Sequence, residues 1–436
     1  MGVDSAIRSW QYKPPLPALY SPRTYKKTGT NNLPATHQAA EPARAGPLAG
    51  VRVIDLTSVM MGPYATMILG DYGADIIKVE SPEGDVMRRA APALHPGMGA
   101  LYLQTNRNKR SIVLDLKQAK AREAVLRLSA DADIFVHNIR PAAMGRLGLG
   151  AETLLLRNPR LVYASLHGFG ERGPYAGRPA YDDLIQGLTA LPALTGRMTG
   201  EPRYTPAVIA DRIVGLSAVH AILAALLHRD RTGEGQSIEV PMFETMAQFV
   251  LGDHMGGRTF EPAIGPAGYP RVLAADRRPY RTKDGYICAL VYTDKQWDAF
   301  YEALGPEARR QRDPRTKDMA SRTESYDHVY EWFADLMQTR TTAEWMALFE
   351  QADVPHGPMH DLDDLIDDPH LAAVGLLQEL DHPTEGKLHM TAPAATWSRT
   401  PPSVRTPAPN LGEHGVEILR EAGFTDEEIS ELLSRS

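Results

Sequence analysis

Four side chains stand where chemistry could be done. Asp211, in Val-Ile-Ala-Asp-Arg-Ile-Val, directly precedes the apolar run Ile213–Leu227. Helix starts favour negative charge, so a carboxylate there stays ionised more readily. Such an aspartate can cap the helix or act as a covalent nucleophile. Pattern alone favours the cap, because aspartate is common at that position. His167, in Ser-Leu-His-Gly-Phe-Gly, ends a strand-like run before a glycine-bearing loop, where acid–base residues often sit. Its plainer reading is a structural histidine. Tyr181 and Asp182 lie in Arg-Pro-Ala-Tyr-Asp-Asp. The tyrosine reads as a packed ring with a satisfied hydroxyl or as a site residue. Asp182 reads as a substrate-orienting group or as a solvated loop carboxylate.

The elements that must position them begin with Val51–Glu80, which has the pattern of a β-α-β unit. Val51–Leu56 is a strand-like apolar run, Pro63 marks a first helical turn, and Gly73 marks its end. Ala74–Val79 is a second strand-like run closed by Glu80, where dinucleotide folds carry a ribose-binding acid. The turn after Leu56 reads Thr-Ser-Val-Met-Met-Gly-Pro instead of G-x-G-x-x-G. One glycine cannot bring a backbone onto a pyrophosphate as three do.

Further strand-like runs follow at Ser111–Leu114, Ile134–His137, Val162–Leu166 and Gln236–Val240. Periodic helical segments lie between them, among them Ala119–Ala130. Alternation of this kind predicts an α/β fold with a mostly parallel sheet covered on both faces. Residues 168–206 are rich in proline and glycine and read as a long functional loop. Residues 281–365 carry a strand and three amphipathic helices, the pattern of a smaller α+β domain. The expected organisation is an extended leader (1–46), a large domain (47–250), a linker or flap (251–280), the small domain, and a segment returning to the large domain (366–436). The last helix opens on a Thr425-x-x-Glu428 capping box.

The chain has 436 residues, 43% hydrophobic and 23% charged, which suits a soluble protein of two domains. A net charge of -7 argues against a nucleic-acid surface. A single cysteine, Cys288, allows no internal disulfide and suits a cytoplasmic setting. The run Ile213–Leu227, about 15 residues, is short of the roughly 20 that span a membrane, so a buried helix is expected there.

Five segments in order resemble the family III coenzyme A transferases: GVRVIDLTSVMMGPYATMILGDYGADIIKVESPEGD, NKRSIVLDLK, DIFVHNIRPAAMGRLGLG, NPRLVYASLHGFGERGPYAGRPAYD and ILAALLHRDRTGEGQSIEVPMFE. The closing APNLGEHGVEIL is also similar to that family. The resemblance implies a Rossmann-like large domain with a smaller second domain, and two subunits interlocked as a homodimer. It implies acyl-CoA and a small carboxylic acid as substrates, with no prosthetic group and no metal.

Carried onto this sequence, the resemblance makes Asp211 the nucleophile. A carboxylate can attack a thioester carbonyl, and CoA thiolate can then open the anhydride, leaving an aspartyl-CoA thioester. Tyr181 occupies the place where the racemase branch has a histidine. Racemisation needs two acid–base groups, and a phenol is a poor base at neutral pH, so transfer is favoured over an acyl-CoA racemase. Asp182 is a possible further participant. For CoA the resemblance points to Val59, Met60, Met61, Leu114, Lys117, Asn138, Ile139, Arg140 and Arg146, with Arg88 or Arg89 near the adenine. Arg258 or Arg271, in the flap region, could meet a substrate carboxylate. A nicotinamide dehydrogenase using Glu80 and a non-catalytic CoA-binding protein are the remaining readings.

Overall fold

The computed structural model describes residues 46–434; the expected leader falls almost wholly outside them. These residues form two compact units, one of 278–359 and one made from 46–277 with 360–434.

The larger unit is built on six parallel strands: β1 (Arg52–Leu56), β2 (Asp75–Glu80), β3 (Lys109–Val113), β4 (Ile134–His137), β5 (Val162–His167) and β6 (Gln236–Pro241). Their order is β3-β2-β1-β4-β5-β6, and every pairing is parallel. This is the doubly wound arrangement, whose order reverses between β1 and β4. Ligands in such sheets settle beyond the carboxyl ends of the strands at that reversal.

Because strand side chains alternate, neighbours in β1 feed two different cores. Val53 joins the face covered by helices Met61–Asp71 and Ile209–Thr232, while Ile54 joins the face covered by Ala119–Ala130. Ile418, Leu419, Ile429 and Leu432 of the last two helices complete that second face. Arg110 ties down the first of them, Gly415–Glu421, through Glu417 at 2.8 Å and Glu421 at 2.9 Å. The expected capping box is present: Glu428 Oε2 accepts from the Thr425 backbone N–H at 2.8 Å, and Thr425 Oγ1 accepts from that of Glu428 at 3.3 Å.

Two expectations are corrected. The helix bearing Asp211 runs Ile209–Thr232, 24 residues, and begins four positions before the apolar run. It is therefore long and apolar enough to cross a membrane by length and composition, although half of its most apolar stretch is buried. Its Ala210, Val214, Ala218 and Ile222 lie in the core against the sheet. Residues 168–206 are not a plain loop, for they hold helices Asp182–Leu188 and Leu191–Thr199. Acidic residues in the first turn of one and Pro192 in the first turn of the other start these helices in a glycine-rich background.

The unit of 278–359 has a three-stranded antiparallel sheet and helices around an aromatic core of Trp297, Phe300, Phe333, Trp345 and Phe349.

Candidate active site

A cleft of about 210 Å³ opens at the reversal between β1 and β4. From the expected residues it gathers Val59, Met61, Asn138, Arg140, Tyr181 and Asp211, together with His167. Met60, Leu114, Lys117, Ile139 and Arg146 are not among its lining residues. Leu114 is 1% exposed and sits in the core, so its side chain has no free face. Lys117 and Arg146 are exposed elsewhere.

The turn after β1 is held from beneath by buried charge. Lys78 Nζ donates to Thr57 O at 2.8 Å and to Asp85 Oδ2 at 3.0 Å, both side chains fully buried. Asp85 Oδ1 in turn accepts from the Val59 N–H at 3.1 Å. Val59 has φ of 73°, a left-handed conformation that a β-branched residue adopts only under constraint. Asn138 fixes the neighbouring residue from both sides: its Oδ1 accepts from Ser58 N at 3.1 Å and its Nδ2 donates to Ser58 O at 2.7 Å. The loops after β1 and β4 are thereby one body, and the Asn138 amide spends bonds on both of its ends inside the protein.

Asp211 is 8% exposed and lies in the first turn of its helix, with Val208 at the cap position. It is therefore not the cap that the pattern favoured. The capping task falls to Asp182, whose Oδ1 accepts from the Asp211 backbone N–H at 2.9 Å. Asp182 is 7% exposed, so it is no solvated loop carboxylate. Burial above all, and then the Asp182 charge, push the Asp211 carboxyl up to about 7 against a smaller opposing pull from Arg212. The Arg212 guanidinium stacks 4.3 Å from the Tyr64 ring centroid. Gly215 lets this helix approach the β1 turn, since a Cβ there would meet Met61 O at 2.9 Å.

Tyr181 is 70% exposed and its hydroxyl has no hydrogen bond among the described residues, contrary to a packed, satisfied ring. His167 Nε2 lies 3.2 Å from Glu239 Oε1, and its Nδ1 is buried without a partner among the described residues. Glu239 Oε1 also accepts from the Glu171 N–H at 2.7 Å, so this dyad anchors the loop that leads to Tyr181. Gly168 permits the fold-back of that loop, because a Cβ there would fall 2.3 Å from Ala180 Cβ.

Glu80 takes Arg88 in a two-pronged bond, 2.8 Å to Nε and 2.7 Å to Nη2, and accepts from Ser111 Oγ at 2.7 Å. Burial raises its carboxyl, but these partners and Lys78 win and hold it below the usual carboxylate range. It has no free face for a ribose. Arg88 is 2% exposed and bonded also to Tyr102 and Pro409 O, which removes it as an adenine contact. Arg89 is at the surface, bonded to Glu83 O at 2.7 Å. Sequence reasoning missed Ser58, Arg178, Gln186 and Met242. Of these Gln186 alone had a local signal, one helical turn beyond Asp182.

A six-stranded parallel sheet with a carboxylate-bearing cleft at its reversal is a doubly wound α/β architecture with a ligand site in its usual place. Residues 48–415 match CoA-transferase family III, and the chain belongs to that family of enzymes. It is 32% identical to human succinyl-CoA:glutarate CoA-transferase over 394 residues, covering 89% of each chain. It is 31% identical to formyl-CoA:oxalate CoA-transferase of Escherichia coli over 415 residues, 88% of this chain and 98% of the relative. Among solved structures, a CaiB/BaiF family protein from Brucella suis superposes with a TM-score of 0.73 at 31% identity, covering 87% of this chain and all of the other.

Proposed function

We propose that the chain moves CoA from an acyl-CoA donor to a dicarboxylic acid through covalent intermediates on Asp211. The carrying observation is Asp211 itself, buried in the cleft at the strand reversal with its carboxyl pushed up to about 7. A carboxylate stripped of water is a stronger nucleophile than one in bulk solvent.

The steps balance without a net proton. A carboxylate oxygen of Asp211 attacks the thioester carbonyl, the C–S bond breaks, and CoA leaves as thiolate. The thiolate attacks the aspartyl carbonyl of the mixed anhydride, releasing the donor's carboxylate and leaving aspartyl-CoA. The acceptor carboxylate attacks that thioester and frees the thiolate again. The thiolate then attacks the acceptor's acyl carbon, giving the new acyl-CoA and restoring Asp211.

Support for a dicarboxylate comes from Arg140 and Arg178 on the cleft walls, which suit a second carboxylate. It comes too from relatives named for glutarate and mesaconate. The family resemblance also supports an interlocked homodimer, which sedimentation velocity would register as a single species of twice the chain mass.

The deciding experiment incubates the enzyme with succinyl-CoA, quenches, and weighs the peptide that contains Asp211. An adduct of acyl or CoA mass on that peptide is expected, with transfer lost in Asp211→Ala. Normal turnover by Asp211→Ala would end this reading.

A further inference from the structure

A backbone N–H at a helix start is satisfied as well by serine, threonine or asparagine as by aspartate. The group that caps the Asp211 helix is nevertheless a carboxylate, 7% exposed, set against a second buried carboxylate. Like charges in a site of low polarity repel strongly. A neutral cap would avoid that cost, so the charge of Asp182 needs an explanation of its own.

Asp182 is not free to turn away. Its Oδ2 accepts from Gln186 Nε2 at 2.6 Å, and Gln186 is fully buried. Gln186 Oε1 accepts from the Thr205 N–H at 2.9 Å, and its Nε2 also reaches Ala207 O at 3.3 Å. Two side chains one turn apart on the helix Asp182–Leu188 therefore hold the approach to Asp211 at residues 205, 207 and 211.

We propose that Asp182, oriented by Gln186, is a positioning residue for the transfer reaction, fixing the start of the Asp211 helix while its charge destabilises ionised Asp211 until acylation removes that charge. This rests on the nucleophile reading of Asp211. The anhydride and the thioester are both uncharged at the aspartyl group, so the repulsion present in the resting site vanishes in each intermediate. The energy of two crowded carboxylates is thereby turned toward covalent bond formation.

The other charges around the site do not duplicate this effect. Arg212, on the same helix, opposes it and is drawn to the Tyr64 ring. His167 from β5, Glu171 and Arg178 from the loop that follows, and Arg140 beyond β4 line the same cleft. Helix Met61–Asp71 presents the Tyr64 phenol on this side, and helix Met242–His254 presents the apolar Met242.

The test uses the full chain with succinyl-CoA and compares the parent, Asp182→Asn, and Asp182→Asn with Gln186→Glu. Asparagine keeps an oxygen for the Asp211 N–H but turns an amide toward Gln186 Nε2. The second change supplies an acceptor for that amide and moves the charge one turn away. Rates of adduct formation on Asp211 are read across about pH 5 to 9. In the parent the rate is expected to fall as pH drops through about 7, where the Asp211 carboxyl takes up its proton. In both variants the limb is expected at least about half a pH unit lower, with adduct formation at high pH slowed roughly tenfold and KM for succinyl-CoA within about twofold. The double variant is expected to regain part of the thermal midpoint that Asp182→Asn loses, since it still lacks the donor to Ala207 O, without regaining the rate, which separates charge from folding. If Asp182→Asn fails to fold, the double variant decides alone. Profiles superimposable on the parent would overturn the inference. Absence of any adduct in the parent would instead overturn the nucleophile reading on which it rests.

Discussion

The Asp182 carboxylate accepts a 2.9 Å hydrogen bond from the backbone N–H of Asp211, so the same residue steadies the helix start and burdens the carboxylate it carries. Stability and reactivity are opposed at this point of the fold, and several measurements can read the opposition.

Asp211→Asn should stabilise the protein at high pH. The folded carboxyl titrates near 7, above its ordinary 3.8, because burial and Asp182 disfavour the charge. Between those values the unfolded chain has already lost its proton and the folded chain keeps it, so stability falls as pH rises through the window. Above 7 the full penalty is present, of order a few kcal/mol. A neutral asparagine removes it. Thermal midpoints at about pH 8 should favour the variant, and the gap should close near pH 4. A variant no more stable at pH 8 would contradict the buried charge.

The pair Lys78 and Asp85 should be costly to split. Both side chains are fully buried, and Asp85 also accepts from Val59 and Met87. Lys78→Met leaves an unpaired carboxylate in the interior, a loss of about 3–5 kcal/mol. The Val59 turn would lose its support as well, so KM for acyl-CoA should rise. Urea unfolding combined with initial-rate kinetics tests both effects, and a midpoint unchanged by the substitution would refute the account.

Gly168→Ala should displace the loop that carries Tyr181. The added methyl would stand 2.3 Å from Ala180 Cβ, well inside contact distance. Overpacking of this kind costs about 1–3 kcal/mol. Turnover should fall by roughly tenfold or more, a loss that displaced groups commonly cause. Ala180→Gly in the same chain should restore much of it, which a general folding defect would not allow.

Arg178 should matter for acids with two carboxylates and little for those with one. It lines the cleft and stacks 4.5 Å from the Tyr175 ring centroid. Arg178→Gln should raise KM for glutarate by about tenfold, the effect of losing one charge-assisted bond. KM for a monocarboxylate such as butyrate should hardly change. Equal effects on both acids would show that Arg178 is not a selectivity group.

Much of the sheet was legible because buried parallel strands leave continuous apolar runs. The runs at β1, β2, β4 and β5 have nearly their structural limits, and the resemblance of five ordered segments carried Asp211 and Tyr181 to one cleft. What sequence hid was long-range hydrogen bonding. Asp211 looked like a cap because the side chain that does cap the helix is 29 residues away. Tyr181 gave no hint of its exposure, and Asn138 none of its grip on Ser58, 80 positions earlier. The helices within 168–206 were masked by glycine and proline, which mark turns and helix starts alike.

Glu80 and Arg88 also constrain what could be engineered into this scaffold. The acid that closes β2 is the natural handle for grafting a nicotinamide cofactor, and freeing it would strand a guanidinium that also bonds Tyr102 and the Pro409 carbonyl. A redesign that began at the ribose would thus loosen the chain where it returns from the far end of the sequence. The ribose contact at the end of β2 is closed by an internal fastening, and reopening it would require a new attachment for the C-terminal segment first.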